Sequence, residues 1–155
     1  SSDLTLHHSD GVELIEYKDQ ENIWDMVMID PPYIFQPENY GSDERDLCKI
    51  RDLEKFNEKL ESCLKNLKRL IKTSSWEKKE FHPIVIKVGS ARRSKKGLTD
   101  MSTEVENIAR KLDLIIHDKV INVLDSQFAM FNISKCIDNR YSCKVHETNL
   151  VLVKY

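Results

Sequence analysis

WDMVMIDPPYIFQ, residues 24–36, decides how this chain is read. It opens as a hydrophobic strand, nearly continuous in apolar residues from Trp24 to Ile29, the pattern of a strand covered on both faces. It then stops on Asp30-Pro31-Pro32-Tyr33. Neither proline carries an N–H and both fix φ, so the turn is stiff and presents acceptors only. The Asp30 carboxylate and the Pro31 carbonyl can both accept from one exocyclic amino group. Holding both N–H bonds in this way favours a pyramidal nitrogen and aims its lone pair at an electrophilic methyl group. Tyr33 offers a flat face on which a base can stack, a contact worth about 1–3 kcal/mol in single-strand binders. A base inside a duplex cannot reach such a pocket, so it must be flipped out.

Outward from that strand, the segments alternate. Leu4 to His7 is a short strand candidate that ends in the polar turn His8-Ser9-Asp10, and Val12 to Tyr17 reads as one or two helical turns. Residues 34–51 are polar and without clear period, a connection long enough to suggest a functional loop. From Asp52 to Lys72, the recurrence of Leu53, Phe56, Leu60, Leu64, Leu67 and Ile71 at intervals of three and four predicts a helix. Pro83 to Val88 predicts a strand with proline at its permitted first position. A basic loop follows from Ser90 to Gly97. A second helix fits Leu98 to Leu112, with Thr99 or Ser102 as its cap. Leu114 to Leu124 and Glu147 to Tyr155 read as strands around an irregular segment. Strands separated by helices imply one α/β domain over residues 1–155, a mostly parallel sheet whose last two strands pair antiparallel. Ligands of such open sheets sit outside the carboxyl ends of the strands, where Asp10, Asp30 to Tyr33 and the 89–96 segment all fall.

Composition sets limits on partners. The chain has 155 residues, with 24 basic and 26 acidic side chains and a net charge of −2, so any nucleic-acid-binding surface must be local. Arg92, Arg93, Lys95 and Lys96 place four cations within five residues at a strand's carboxyl end, suited to contacting phosphates. Arg140, with Asn139, Tyr141 and Lys144, is a further candidate for nucleic-acid contact. No apolar run approaches the roughly 20 residues that span a bilayer. The start SSDLTLHHSD lacks the layout of a signal peptide. Cys48, Cys63, Cys136 and Cys143 are scattered as reduced thiols would be, and Cys136, Cys143 and His146 make a poor tetrahedral set, so no metal is expected. These features fit a cytoplasmic protein (nuclear in a eukaryote) with no membrane partner.

HHSDGVELIEYKDQENIWDMVMIDPPY, residues 7–33, resembles the amino-methyltransferases of DNA, which modify adenine N6 or cytosine N4 with S-adenosylmethionine. In that family an acidic turn after one strand precedes a second strand ending in [DNS]-P-P-[YFW]. The resemblance extends through the 52–72 helix, the IVIKVG strand and the closing NRYSCKVHETNLVLVKY. It implies a Rossmann-like methyltransferase fold with Asp30, Pro31, Pro32 and Tyr33 as the catalytic residues. It also implies Asp10 and Asp30 near the cofactor, and DNA as partner. Asp at the first place of the tetrapeptide is more usual for adenine enzymes, and the same tetrapeptide occurs in RNA methyltransferases. His146-Glu147 matches the family's ending, where a structural role is expected.

One family element is missing. The glycine-rich turn that cradles the cofactor, D-P-F-x-G-x-G-T in form, has no counterpart, since the four glycines are Gly11, Gly41, Gly89 and Gly97. The expectation is therefore an incomplete methyltransferase fold: a fragment, one chain of a split enzyme whose partner chain or dimer mate supplies the cofactor-binding segment, or a degenerate domain that kept the base clamp, the first two being favoured. The alternatives are a non-catalytic nucleic-acid-binding subunit with this fold, and an enzyme acting on RNA.

Overall fold

The computed structural model describes residues 11–31, 47–50, 52–89, 91–93, 97–123 and 146–155. The expected Leu4–His7 strand lies outside them. The regular elements are β1 (Val27–Ile29), α1 (Leu53–Leu70), β2 (Pro83–Val88), β3 (Ala91–Arg93), β4 (Gly97–Thr99), α2 (Met101–Lys111), β5 (Ile115–Val123) and β6 (His146–Val153). Short 3-10 turns occupy Ile15–Tyr17 and Leu47–Lys49. Among the described residues no helix is long and apolar enough to cross a membrane.

Four strands form one sheet in the order β1-β2-β6-β5. β1 pairs parallel with β2, whereas β6 is antiparallel to both β2 and β5. Among the described residues three strands thus run one way and β6 opposes them, so the sheet is mixed, with one parallel pairing and two antiparallel ones. The last two strands pair antiparallel as the segment order predicts, whereas the mostly parallel sheet it also predicts is reduced here to the β1–β2 pair because β6 inserts beside β2. The carboxyl ends of β1, β2 and β5 consequently share an edge with the amino end of β6.

Strand registers assign every side chain to a face, because successive residues of a strand point to opposite sides. Val27 is opposite Ile84, which is opposite Leu152; Ile29 is opposite Ile86, which is opposite Leu150. These residues join Val88 on one face and pack with Phe56, Leu60, Leu64 and Leu67 of α1 and Val105 and Ile108 of α2. Both helices therefore cover the same face. The other face carries Met28, Val85, Lys87, Val151 and Asn149. Among the described residues it is partly open, with Met28 67% and Met26 58% exposed. The expectation that the Trp24–Ile29 run is covered on both faces is corrected here: Met26, just before β1, and Met28 within it occupy the second face, and no described element packs over them.

Local signals explain how the elements begin and end. Asp52 caps α1, its carboxylate accepting from the Lys55 amide at 3.0 Å. The last carbonyls of α1 lack intrahelical partners, and the chain just before β1 satisfies two of them: Asn22 N–H donates to Arg69 O, and the Ile23 and Trp24 amides donate to Leu70 O. Lys154 at the end of β6 adds its ammonium to the Lys68 and Ile71 carbonyls, at 3.2 and 2.9 Å. Burial, and then the neighbouring Lys68 charge, hold its pKa below the usual lysine range. The helix end thus locks β1 and β6 to one another through α1.

Two expectations about the 90–112 region change. The basic segment is not simply a loop: β3 and β4 form a separate antiparallel ribbon, with Arg92 opposite Leu98 and Arg93 opposite Gly97. Thr99 closes β4, so α2 begins later than expected and its cap is Asp100. Asp100 Oδ1 accepts from the amide and hydroxyl of Ser102 at 3.0 and 2.9 Å, and Oδ2 accepts from the Thr103 hydroxyl at 3.1 Å. Burial disfavours the charged carboxylate, but these Ser102 and Thr103 hydrogen bonds, with the Lys119 charge, outweigh it and hold the Asp100 pKa below its usual value.

A carboxylate with a lowered folded pKa contributes stability above its unfolded pKa, and that contribution is lost as pH falls through the folded value. Asp100→Ala is expected to destabilise the chain by about 1 kcal/mol through loss of the cap. Asp100→Asn, which keeps a capping oxygen but no charge, should cost less and should flatten the acid side of the stability curve. Urea midpoints measured from neutral pH down through the carboxylate range check both.

Candidate functional site

The site is built where the parallel strands end. Ile29 is the last residue of β1 and is opposite Ile86, so Asp30 follows alongside Lys87 of β2. Lys87 in turn is opposite Asn149 of β6, and Glu147, two residues earlier, projects from the same side of that strand. Three charged side chains, from β2, β6 and the residue just past β1, thus meet on the face that the helices leave uncovered. The Lys87 ammonium lies 3.1 Å from Glu147 Oε2 and 3.4 Å from Asp30 Oδ2. Their exposures run outward, from 16% for Glu147 through 28% for Lys87 to 55% for Asp30.

The electrostatics follow from this order. The Glu147 hydrogen bond, and then the Asp30 charge, push the Lys87 pKa above the usual lysine value, so the cation persists throughout the physiological range. Asp30 offers Oδ2 to that cation, while its Oδ1 has no partner among the described residues. Pro31, half-buried, brings no N–H that could compete for that oxygen. Chemically, the corner is an anchored carboxylate with one free acceptor oxygen at the mouth of an open sheet edge.

Of the residues singled out in the sequence, Asp30 and Pro31 stand at this corner. Arg92 and Arg93 belong to the β3–β4 ribbon, which follows β2 from the same edge after Gly89. Asp10, Pro32, Tyr33, Lys95, Lys96 and Arg140 lie outside the described residues, as do Cys136 and Cys143. Lys87 and Glu147 were not anticipated as neighbours of Asp30. A signal was present: Lys87 is the one charge inside the apolar strand PIVIKV, at a position whose parity opposes Ile84, Ile86 and Val88. No glycine cradle appears among the described residues. A side-chain carbon built on Gly11 would meet nothing within 4 Å, so that glycine does not serve a close backbone approach.

Neither a family model nor a curated protein sequence matches the chain. Solved structures do. A protein of Thermus thermophilus described as a "putative DNA modification methylase" superposes with a TM-score of 0.65 at 17% identity, over 94% of this chain and 50% of that one. Its complex with S-adenosyl-L-methionine gives a TM-score of 0.62 at 18% identity, over 93% and 53%. The cytosine-N4-specific PvuII DNA methyltransferase gives 0.65 at 15% identity, over 95% and 48%. Nearly all of this chain thus finds a counterpart in about half of each of those proteins. The chain has a Rossmann-like methyltransferase fold, and it spans about half the length of the DNA methyltransferases it resembles.

Proposed function

We propose that the chain is the base-holding part of an S-adenosylmethionine-dependent DNA amino-methyltransferase, acting on adenine N6. The observation that carries this reading is Asp30: a carboxylate with a free oxygen, at the carboxyl end of a parallel strand, leading into Pro-Pro-Tyr. Asp30 Oδ1 and the Pro31 carbonyl take the two N–H bonds of the target amine, and Tyr33 stacks the flipped ring. Catalysis of this kind is positioning and electrostatics, with no covalent enzyme intermediate. The DNA methyltransferases of similar fold support DNA as the substrate, although one of them is cytosine-N4-specific. The acid at the head of the tetrapeptide supports adenine. Either base presents the same exocyclic amine to Asp30, so the clamp's chemistry is common to both.

S-adenosylmethionine, present in one of the structures of similar fold, supplies an electrophilic methyl group when bound. The described residues form the acceptor side of that transfer and offer no cradle for the donor. The four glycines of the sequence are never paired as such a turn needs, so in this reading a longer chain or a partner chain supplies it. Asp10 lies near the donor in this reading, and Arg92, Arg93, Lys95, Lys96 and Arg140 contact phosphates. The missing cradle also favours one rival, a non-catalytic nucleic-acid-binding subunit.

In the full enzyme, Asp30→Ala should lower methyl transfer on the order of 100-fold or more, with circular dichroism and melting temperature unchanged. Labelled-methyl transfer to DNA and RNA side by side measures the effect and identifies the substrate. Turnover at the wild-type rate by Asp30→Ala would refute the clamp. Calorimetry with S-adenosylmethionine on the full enzyme, the segment carrying the glycine-rich turn included, separates the rival, since clear binding there would count against a non-catalytic role.

A further inference from the structure

We infer that Lys87 is a positioning residue for the base-holding carboxylate: from the centre of the sheet it tethers Asp30 Oδ2 so that Oδ1 faces the incoming amine, and Glu147 fixes where that tether stands. This rests on the proposed role of Asp30 and adds two residues to it.

The geometry argues as follows. Asp30 stands just past its strand, more than half exposed, and nothing else among the described residues holds its side chain. A carboxylate with two free torsions presents either oxygen in many directions, whereas one tethered through Oδ2 presents Oδ1 in few. Lys87 can provide that tether because it starts from the best-fixed part of the sheet. β2 is hydrogen-bonded on both sides, to β1 and to β6, and Ile86 and Val88 on either side of Lys87 are buried. Its long side chain would nevertheless wander unless its far end were held. Glu147 holds it at 3.1 Å, closer than the 3.4 Å to Asp30, and is itself the least exposed of the three. The chain of support thus runs from a half-buried carboxylate through the cation to the exposed working carboxylate.

A simple structural strut explains the arrangement less well. Ion pairs open to solvent contribute little to stability, and β2 and β6 are already joined by a ladder of six residue pairs. One cation shared by two carboxylates also performs a second task. Without it, Asp30 and Glu147 would be two like charges at one corner, and Asp30 would turn away towards water. Arginine at position 87 could serve the same two acceptors with its forked donors.

The test has two arms. In the 155-residue chain, the Lys87 ammonium is titrated by NMR detection of its side chain. Its raised pKa should fall in Asp30→Asn and fall further in Glu147→Gln; an unchanged Lys87 titration in Asp30→Asn would overturn the tether. In the full enzyme, Lys87→Met should slow single-turnover methyl transfer on the order of 10- to 100-fold. DNA affinity should stay within about threefold, as expected when positioning rather than binding is lost. Lys87→Arg should recover most of the rate. If Asp30→Ala is inactive while Lys87→Met transfers at the wild-type rate, the role of Lys87 is refuted and the clamp stands. If Asp30→Ala itself transfers at the wild-type rate, the clamp is refuted.

Discussion

The register of β2 between β1 and β6 is the constraint on which the rest of the structure depends. Alternate residues of that strand do opposite jobs: Ile84, Ile86 and Val88 go to the helices, whereas Val85 and Lys87 go to the other face. A slip of one residue would drive Lys87 into the helix-covered core, and expose three aliphatic side chains. Burial of the helix-facing set therefore fixes the register, and the register in turn places Lys87 beside Asp30. The charged corner is determined by the packing of residues that never touch it.

The direction of the strands contributes the second half of the arrangement. Because β1 and β2 run parallel, their carboxyl ends arrive together, and the antiparallel β6 brings its amino end to the same edge. The helix-covered face supplies stability, through fully buried residues such as Phe56, Leu60 and Leu64. The opposite face carries the charged side chains of Asp30, Lys87 and Glu147. This division explains why the exposed Met28 on β1 and a cluster of charges can coexist beside a well-packed core. It also accords with a fold that covers about half of the solved DNA methyltransferases it resembles.

Much of this was legible in the sequence, for definable reasons. The 52–72 helix could be read from its apolar period, and α1 occupies Leu53–Leu70 with the predicted stripe buried. Pro83–Val88 was read with its observed boundaries, since a proline starts it and a glycine follows it. Asp30 was singled out because the two prolines that follow it are a local signal. The cap of α2 was misassigned, because Thr99, Asp100 and Ser102 are all competent N-caps and only the end of β4 decides among them. The β3–β4 ribbon was missed because its cations mask any strand alternation. Lys87 and Glu147 are far apart in the chain, and their meeting depends on β6 entering the sheet beside β2, which no local pattern encodes.

The most direct measurement is to map where a nucleotide base touches this chain. Backbone amide shifts of the 155-residue protein would be followed by NMR during titration with a short adenine-containing single-stranded DNA. The account predicts perturbations that concentrate at the carboxyl edge of the sheet, around Asp30, Lys87 to Gly89 and Glu147, and that weaken in Asp30→Ala. Perturbations confined to the opposite edge, around Trp76, Phe81 and Tyr155, and indifferent to Asp30, would contradict it.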